Sequence, residues 1–111
     1  MSTIFAKILK GEVPCDKVYE DEFCISFRDI NPIAPMHLLV IPREEISQLD
    51  HMSAEQESLV GHLMRVAGIV AKQEGFEDFR VMVNNGASAG QTVFHLHLHV
   101  LGGVTLNWPP G

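Results

Sequence analysis

Residues 94–100 read Phe-His-Leu-His-Leu-His-Val and place a histidine at every second position. Because successive side chains of a β-strand point to opposite faces, His95, His97 and His99 are expected on one face of a strand over residues 93–101. The opposite face carries four apolar side chains that would pack against a helix: Phe94, Leu96, Leu98 and Val100. Three imidazoles in strict alternation, on a strand with no other ionisable group, indicate a functional row.

The remainder of the chain predicts four further strands and two helices. Apolar runs bounded by turn residues predict strands over residues 18–20, 23–27, 37–41 and 79–83. Apolar residues at a helical period predict a short helix over residues 3–10 and a long one over about 54–74, and the long helix begins with a capping box formed by Ser53 and Gln56. Residues 44–49 are expected to make one or two helical turns. Five strands and two helices predict an α+β fold with a mainly antiparallel sheet.

Length and charge narrow the possible functions. With 111 residues the chain is expected to form a single domain over residues 1–111. Its formal net charge of −6, with no basic cluster, argues against binding of long nucleic acid. No apolar run approaches the roughly 18 residues of a membrane span. The N-terminus is too polar for a secretory signal, so Cys15 and Cys24 are expected to be reduced thiols of a cytoplasmic protein. Trp108, beside two prolines, is expected to dock on a surface.

The histidine row is compatible with two chemistries. Alternate histidines on a strand can supply two zinc ligands, and a further ligand could come from His37 or a cysteine. However, His95 and His99 are four residues apart, about 13 Å at roughly 3.3 Å per residue, and no acidic ligand is near them in the sequence. The alternative is nucleophilic catalysis on phosphorus, in which a neutral His97 attacks and its neighbours orient it or serve the leaving group. Donors for the phosphoryl oxygens would then come from the loop before the row, at Asn84, residues 86–91 and Thr92.

The row also resembles a known signature. His95-Leu96-His97-Leu98-His99-Val100 is similar to the histidine triad motif, His-x-His-x-His with apolar spacers. The segments 90–94 and 101–103 and the ending Trp108-Pro109-Pro110-Gly111 resemble the nucleotide-binding (Hint) branch of the histidine triad family. The likeness extends over nearly the whole chain. It implies a homodimer in which two five-stranded sheets join into one ten-stranded sheet.

The resemblance implies a hydrolase that acts on nucleotides. Members bind purine nucleoside monophosphates and cleave phosphoramidates and acyl-adenylates through a nucleotidyl-histidine intermediate. By this resemblance His97 is the nucleophile and His99 contacts the phosphate or the leaving group. The main chain of His95 orients the His97 ring, and His37 is a buried fourth histidine that supports the row. No metal and no cofactor are expected.

The resemblance also implies a nucleotide pocket. Asp29 matches the acid that binds the ribose, which is reasonable because a carboxylate can accept from both sugar hydroxyls. Four residues match positions around the phosphate and the nucleophile: Asn84, Gly90, Gln91 and Thr92. Five residues would line the base pocket: Ile4, Phe5, Ile8, Phe27 and Ile30. Arg28 would lie at the edge of that pocket, and Trp108 in the tail is included among the nucleotide-binding residues.

Two departures and two alternatives qualify this interpretation. Arg28 stands where some members have a histidine, so the choice between AMP and GMP stays open. Cys15 and Cys24 are nine residues apart, unlike the Cys-x-x-Cys that some relatives associate with zinc. His99 stands where the transferase branch has glutamine, which favours hydrolysis. The alternatives are a dinucleoside polyphosphate hydrolase and a nucleotide-binding partner protein whose catalysis is incidental.

Overall fold

One five-stranded sheet forms the centre of the protein, whose computed structural model describes residues 3–110. Its strands are β1 (Lys17–Glu20), β2 (Cys24–Arg28), β3 (Met36–Pro42), β4 (Arg80–Met82) and β5 (Leu98–Gly102). They lie in the order β1-β2-β3-β5-β4, and every neighbouring pair is antiparallel. This confirms the predicted α+β fold and its antiparallel sheet.

Two helices flank the sheet, as predicted. Helix α1 (Ile4–Leu9) begins after Thr3, whose hydroxyl accepts the backbone N–H of Ala6 at 3.1 Å. Helix α2 (Glu57–Gln73) follows a 3₁₀ turn at Ala54–Gln56, and both hydrogen bonds of the predicted capping box are present. The local caps therefore set where both helices begin.

The two helices cover opposite faces of the sheet. One apolar cluster packs between α2 and the sheet, and its buried members include Leu63, Val66, Leu98 and Val100. A second cluster lies on the other face, where Phe5 of α1 meets four residues of β2 and β3: Ile25, Phe27, Leu39 and Ile41. The alternation of β2 and β3 thus provides a second apolar surface.

Residues 44–49 do not form the predicted helical turns. The segment is irregular, and a 3₁₀ turn begins only at Leu49–His51. Ile46 is buried, and its carbonyl accepts the backbone N–H of Leu96 at 2.6 Å. Since this long-range contact uses a backbone group that a helix would need, the segment runs alongside residues 93–97 instead.

The last strand is shorter than residues 93–101. β3 pairs with β5 from Met36 opposite Gly102 to Val40 opposite Leu98, and residues 93–97 have no ladder partner. Leu96, Leu98 and Val100 still enter the core beneath α2, but Phe94 is 43% exposed, so its predicted packing against a helix is wrong. The first two histidines of the row therefore lie in an irregular segment before the strand.

The tail does not dock. Trp108 is 85% exposed, contrary to the expectation, and the tail is attached by a hydrogen bond of 2.8 Å from the Arg80 guanidinium to the Asn107 carbonyl. Among the described residues, no helix is long and apolar enough to cross a membrane.

Candidate functional site

A cavity of about 210 Å³ opens on the face of the sheet that carries α1. It contains ten of the residues predicted for the site: the apolar Phe5, Ile8, Phe27 and Ile30, and the polar Asp29, Asn84, Gly90, Thr92, His97 and His99. They come from α1, β2, β5 and the two loops that follow β2 and β4. The structure thus joins segments that are up to 94 positions apart in the sequence.

The apolar wall is made where α1 lies over β2 and β3. Phe27 of β2 pairs in register with Leu39 of β3, and both side chains face α1. The Phe5 ring meets the Phe27 ring edge-on at 5.7 Å and the His97 ring edge-on at 4.9 Å. The result is a small apolar slot beside an imidazole, of a kind that can hold a flat ring.

The His97 ring is held in one tautomer. Its Nδ1 lies 2.7 Å from the backbone oxygen of His95, as the resemblance implied. Because a carbonyl oxygen only accepts, Nδ1 carries the hydrogen and Nε2 keeps a lone pair. Burial lowers the pKa of His97, which is only 7% exposed, so the ring is neutral at pH 7. A neutral imidazole with a free Nε2 is a nucleophile.

His37 and His99 form a second pair with defined tautomers. The Ile33 N–H donates to His37 Nδ1 at 3.1 Å, so the hydrogen of neutral His37 lies on Nε2. That Nε2 is 2.9 Å from His99 Nδ1, which must then accept, and the hydrogen of neutral His99 lies on its Nε2. Burial, with the nearby His97 and His37, lowers the pKa of His99 to about 4. The row thus combines a lone pair on His97 with an N–H on His99.

Asp29 is the acidic member of the cavity. Its Oδ1 accepts the backbone N–H of Asn31 at 2.8 Å, which fixes the carboxylate at the end of β2. Its Oδ2 lies 3.4 Å from His37 Nε2. The carboxylate therefore lies beside the histidine pair and also borders the cavity.

Residues 84–92 form a compact loop at the mouth of the cavity. Its 3₁₀ turn, Ala87–Ala89, lies between Gly86 and Gly90, whose φ angles of +92° and +98° favour glycine. Asn84, Gly90 and Thr92 border the cavity, as predicted. The Gln91 side chain does not, because its buried amide accepts the Gly86 N–H and donates to the carbonyls of Ser47 and Val93. Gln91 holds the loop instead of facing a ligand.

Three other predicted pocket residues lie elsewhere. Ile4 is 44% exposed and does not border the cavity, because α1 turns Phe5 and Ile8 inward instead. Arg28 points to the other face of β2, where its guanidinium pairs with Asp16 at 3.1 Å and Glu74 at 2.6 Å. Trp108 lies in the exposed tail and does not border the cavity.

Two catalytic candidates lie behind the cavity wall. His95 is 1% exposed, and its Nε2 donates to the Pro42 carbonyl at 2.8 Å. Pro42 ends β3, and this bond joins the irregular segment before β5 to that end. His37, also buried, reaches the cavity through His99. Leu39 and Val93 also border the cavity and were not among the predicted site residues; the signal for Leu39 was its place in the strand predicted over residues 37–41.

A group of possible metal ligands lies at the wall of the cavity, where Asp29 and His99 border it and His37 lies behind it. Donor atoms of Asp29, His37 and His99 lie within 4.8 Å of one another, so an acidic residue does approach the row through the fold. However, the Ile33 N–H donates to the Nδ1 lone pair of His37, so the hydrogen of the neutral ring lies on Nε2. Without a lone pair on His37 Nε2 the group does not fit a metal ion in this arrangement.

Comparison with known proteins identifies the family. The family profile of the HIT domain matches residues 10–106. The chain belongs to the HIT domain family. It is 51% identical over 110 residues to an uncharacterized HIT-like protein of Synechococcus elongatus, covering 98% of this chain and 96% of that one. It is also 51% identical to a 14 kDa zinc-binding protein of Zea mays, over 98% of this chain and 88% of that one.

Solved structures share the fold over the whole chain. A HIT family hydrolase from Legionella pneumophila has a TM-score of 0.95 and 38% identity, and the match covers 99% of this chain and all of that one. A histidine triad protein from Clostridium difficile has a TM-score of 0.89 and 42% identity, over 94% of this chain and 92% of that one. The fold of this HIT protein is therefore that of HIT family hydrolases.

Proposed function

We propose that this HIT protein hydrolyses purine nucleoside 5′-phosphoramidates through a nucleotidyl intermediate on His97, and acyl-adenylates by the same route. One observation carries the proposal: the bond from His97 Nδ1 to the His95 carbonyl, 2.7 Å, leaves Nε2 unprotonated on a ring that borders the cavity. A neutral imidazole with a fixed tautomer needs no separate base to activate it. The coarser assignment, a HIT domain with the fold of HIT family hydrolases, supports this chemistry.

In the first step the Nε2 lone pair of His97 forms a bond to phosphorus. The P–N bond of the substrate breaks, and its electron pair stays on the leaving nitrogen. That nitrogen takes one proton from His99 Nε2 and leaves as the free amine. When the substrate binds, its anionic phosphoryl group raises the pKa of His99, and the ring takes a second proton from solvent. The protonated ring can then give its Nε2 proton to the leaving nitrogen.

The second proton on His99 requires a change at His37. Protonated His99 carries hydrogen on Nδ1, which faces the Nε2–H of His37 at 2.9 Å. Two donors cannot face each other at this distance, so the Nε2 proton of His37 passes to the Asp29 carboxylate, whose Oδ2 is 3.4 Å away, and His37 Nε2 then accepts from His99. Asp29 therefore stabilises the protonated form of the pair.

In the second step water attacks the same phosphorus. Neutral His99 takes a proton from the water at Nε2, an O–P bond forms, and the bond between phosphorus and His97 Nε2 breaks with its electrons returning to His97. His99 then returns one proton to solvent, which replaces the proton that it took up before the first step. The products are the amine and the nucleoside monophosphate, AMP or GMP. His97 keeps its Nδ1 hydrogen throughout, donated to the His95 carbonyl.

The shape and charge of the cavity favour a single nucleotide. Its apolar side, with Phe5 and Phe27, suits a purine base, and the Asp29 carboxylate suits the ribose hydroxyls. No lysine or arginine is among the residues that border it. A polyphosphate chain would gain no cationic partner here, whereas one phosphoryl group can be bound by backbone N–H groups of the loop and by the Thr92 hydroxyl. This is why a phosphoramidate is preferred over a dinucleoside polyphosphate.

The same proposal includes a homodimer in the cytoplasm. Within the described chain β4 pairs only with β5, so its outer edge has unpaired backbone groups. The other edge, β1, carries Lys17 and Glu20, charges of the kind that protect an edge strand. Pairing of two β4 edges would give the ten-stranded sheet. Light scattering during gel filtration measures the mass, and a monomer at micromolar concentration would contradict the dimer.

The test of function is turnover of adenosine 5′-phosphoramidate in the presence of a chelator. We expect cleavage by the wild type, and a loss of at least roughly 1,000-fold in His97→Ala, because the nucleophile is gone. His51→Ala is the matched control, since its exposed ring does not border the cavity. Folded wild type that binds AMP without cleaving the substrate would overturn the enzyme proposal in favour of a nucleotide-binding partner protein. Faster cleavage of a diadenosine polyphosphate would overturn the substrate class.

A further inference from the structure

A second group of metal-ligating side chains lies outside the catalytic cavity. Asp21 lies in the turn between β1 and β2, Cys24 begins β2, and His62 lies in the second turn of α2. A carboxylate oxygen, the sulfur and a ring nitrogen of these residues all lie within 4.8 Å of one another. None of the three borders the cavity that contains His97.

We propose that Asp21, Cys24 and His62 form a binding site for one zinc ion. The set offers one sulfur, one nitrogen and one oxygen donor, which are the donors that zinc takes in proteins. A thiolate is a poor ligand for magnesium and calcium, so the cysteine selects a softer ion. A thiolate, a carboxylate and a neutral imidazole carry a total charge of −2, which balances Zn²⁺.

Asp21 is already held in place. Its Oδ1 accepts the backbone N–H groups of Phe23 at 2.8 Å and Cys24 at 2.9 Å, and its Oδ2 accepts the Tyr19 hydroxyl at 2.9 Å. These bonds, together with His62 and against the opposing effect of burial, hold the pKa of Asp21 well below its ordinary value. An ionised, immobile carboxylate is the form that a metal needs.

His62 faces this carboxylate directly. Its Nε2 is 2.6 Å from Asp21 Oδ2, and the Phe23 ring packs edge-on against the imidazole at 5.4 Å. Zinc bound to His62 Nε2 and to the carboxylate would replace the proton that now lies between them. On one tetrahedral zinc a nitrogen and a sulfur are about 3.5 Å apart, given bonds of about 2.0 and 2.3 Å. Donors within 4.8 Å thus need to shift by about 1 Å.

Cys24 supplies the remaining ligand from the core. The side chain is fully buried, and burial, reinforced by the nearby Asp21, raises the pKa of its thiol to about 12. The metal-free thiol is therefore protonated, and zinc must displace that proton, as coordination does outright. Binding should release protons, and this release is a readout of its own.

A cavity of about 730 Å³ beside His62 gives a zinc ion a path to the site and room for a fourth ligand. Three carboxylates border it, Glu22, Glu44 and Glu55, against the single positive charge of Arg43. Arg43 is itself paired with Glu20 at 3.0 Å, and its Nε donates to the Asp21 carbonyl at 2.9 Å. The excess of negative charge attracts a cation, and water from this cavity can complete four-coordination.

The consequence of binding is structural. Zinc would connect the turn between β1 and β2 to helix α2. In the metal-free protein the hydrogen bond between His62 and Asp21 makes the polar contact between these two elements at this position. A ligand that binds only the folded state stabilises it by mass action. The melting temperature of the metal-free protein should therefore rise with added zinc.

The experiment is a zinc titration of the full chain, stripped of metal, in competition with a chromophoric chelator. We expect one zinc per chain, release of protons, and a thiolate-to-metal absorption band with Co²⁺. His62→Gln and Cys24→Ser should each weaken binding by more than the roughly 10- to 100-fold that loss of an outer-shell partner costs. Cys15→Ser and His51→Gln are matched controls that should bind as the wild type does.

Three results would overturn the proposed zinc site. The wild type could bind less than one zinc per chain, or His62→Gln could bind zinc as the wild type does. Loss of zinc binding in His99→Gln would instead place the metal in the catalytic cavity. Because Cys24 is buried, Cys24→Ser also perturbs the core. The His62 ring is 25% exposed on a helix, so His62→Gln decides the question by itself.

Discussion

Replacing Gln91 tests whether the loop at the mouth of the cavity is held by one buried side chain. The Gln91 amide accepts the Gly86 N–H at 2.8 Å and donates to the carbonyls of Ser47 at 2.9 Å and Val93 at 3.0 Å. The residue is 3% exposed. Gln91→Ala removes all three bonds and leaves three backbone groups without their partner.

The magnitude follows from those three bonds. At a net value of about 0.5–1.5 kcal/mol for each hydrogen bond, the free energy of unfolding should fall by about 1.5–4.5 kcal/mol. Gln91→Glu keeps the size and the bond to Gly86, but it places a carboxylate about 3 Å from two carbonyl oxygens. We therefore expect Gln91→Glu to be destabilised at pH 7 and to recover in part as the pH falls and the carboxyl becomes protonated, since a protonated carboxyl can donate again.

The assay is urea unfolding of both variants at several pH values. Gln73→Ala is the matched control, because that glutamine is exposed on α2 and should change the free energy of unfolding by less than about 0.5 kcal/mol. If Gln91→Ala unfolds within 0.5 kcal/mol of the wild type, the argument that these bonds hold the loop is wrong. A Gln91→Glu variant whose deficit is the same at every pH would refute the assignment of the amide donors.

Three further predictions concern glycine, pH and the nucleotide. Gly103→Ala should lower the free energy of unfolding by about 1–3 kcal/mol, since φ is +94° and a Cβ would lie 2.8 Å from Pro35 Cβ; Gly61→Ala, in helix α2 with nothing within 4 Å of its Cβ, should raise it by about 0.5–1 kcal/mol in the same urea assay. The pKa of His99, about 4 in the folded protein against an ordinary 6.5, means that the unfolded chain takes up the proton first. The contribution of neutral His99 to the free energy of unfolding should thus be fully present above pH 6.5 and be lost as the pH drops toward 4. His99→Gln should flatten this dependence in thermal melts recorded at several pH values. Asp29→Ala should weaken AMP binding by roughly 10- to 100-fold in a calorimetric titration, the value of hydrogen bonds to a charged group; equal affinity would contradict its contact with the ribose.

Much of the fold could be predicted because its signals are local. The capping box at Ser53, the helical period of α2 and the apolar runs of the strands depend on neighbours in the sequence, and all are present in the structure. The last strand was predicted too long for a physical reason. Alternation describes which way side chains point, but a strand also needs a partner, and residues 93–97 have none on the sheet.

The candidate site, like the fold, was predicted in part from the sequence. The row of His95, His97 and His99 was evident from the sequence, and its resemblance to a family indicated most of the residues that border the cavity. The predictions for Arg28 and Gln91 were wrong because the sequence does not show which way these two side chains point. Arg28 points to the α2 face of β2, where Asp16 and Glu74 hold it, and Gln91 is occupied by backbone groups of its own loop and of Ser47.

The sequence by itself determined most of the elements and the family, and it indicated the nucleophile that we propose, because periodicity and motif are properties of adjacent residues. Only the tertiary structure decided the protonation pattern of the row. The His95 carbonyl, the Ile33 N–H and the His37 ring come from different segments, and together they fix which nitrogen of His97 and His99 carries hydrogen. Hydrogen-bond partners across a fold are set by packing, and no local pattern records them.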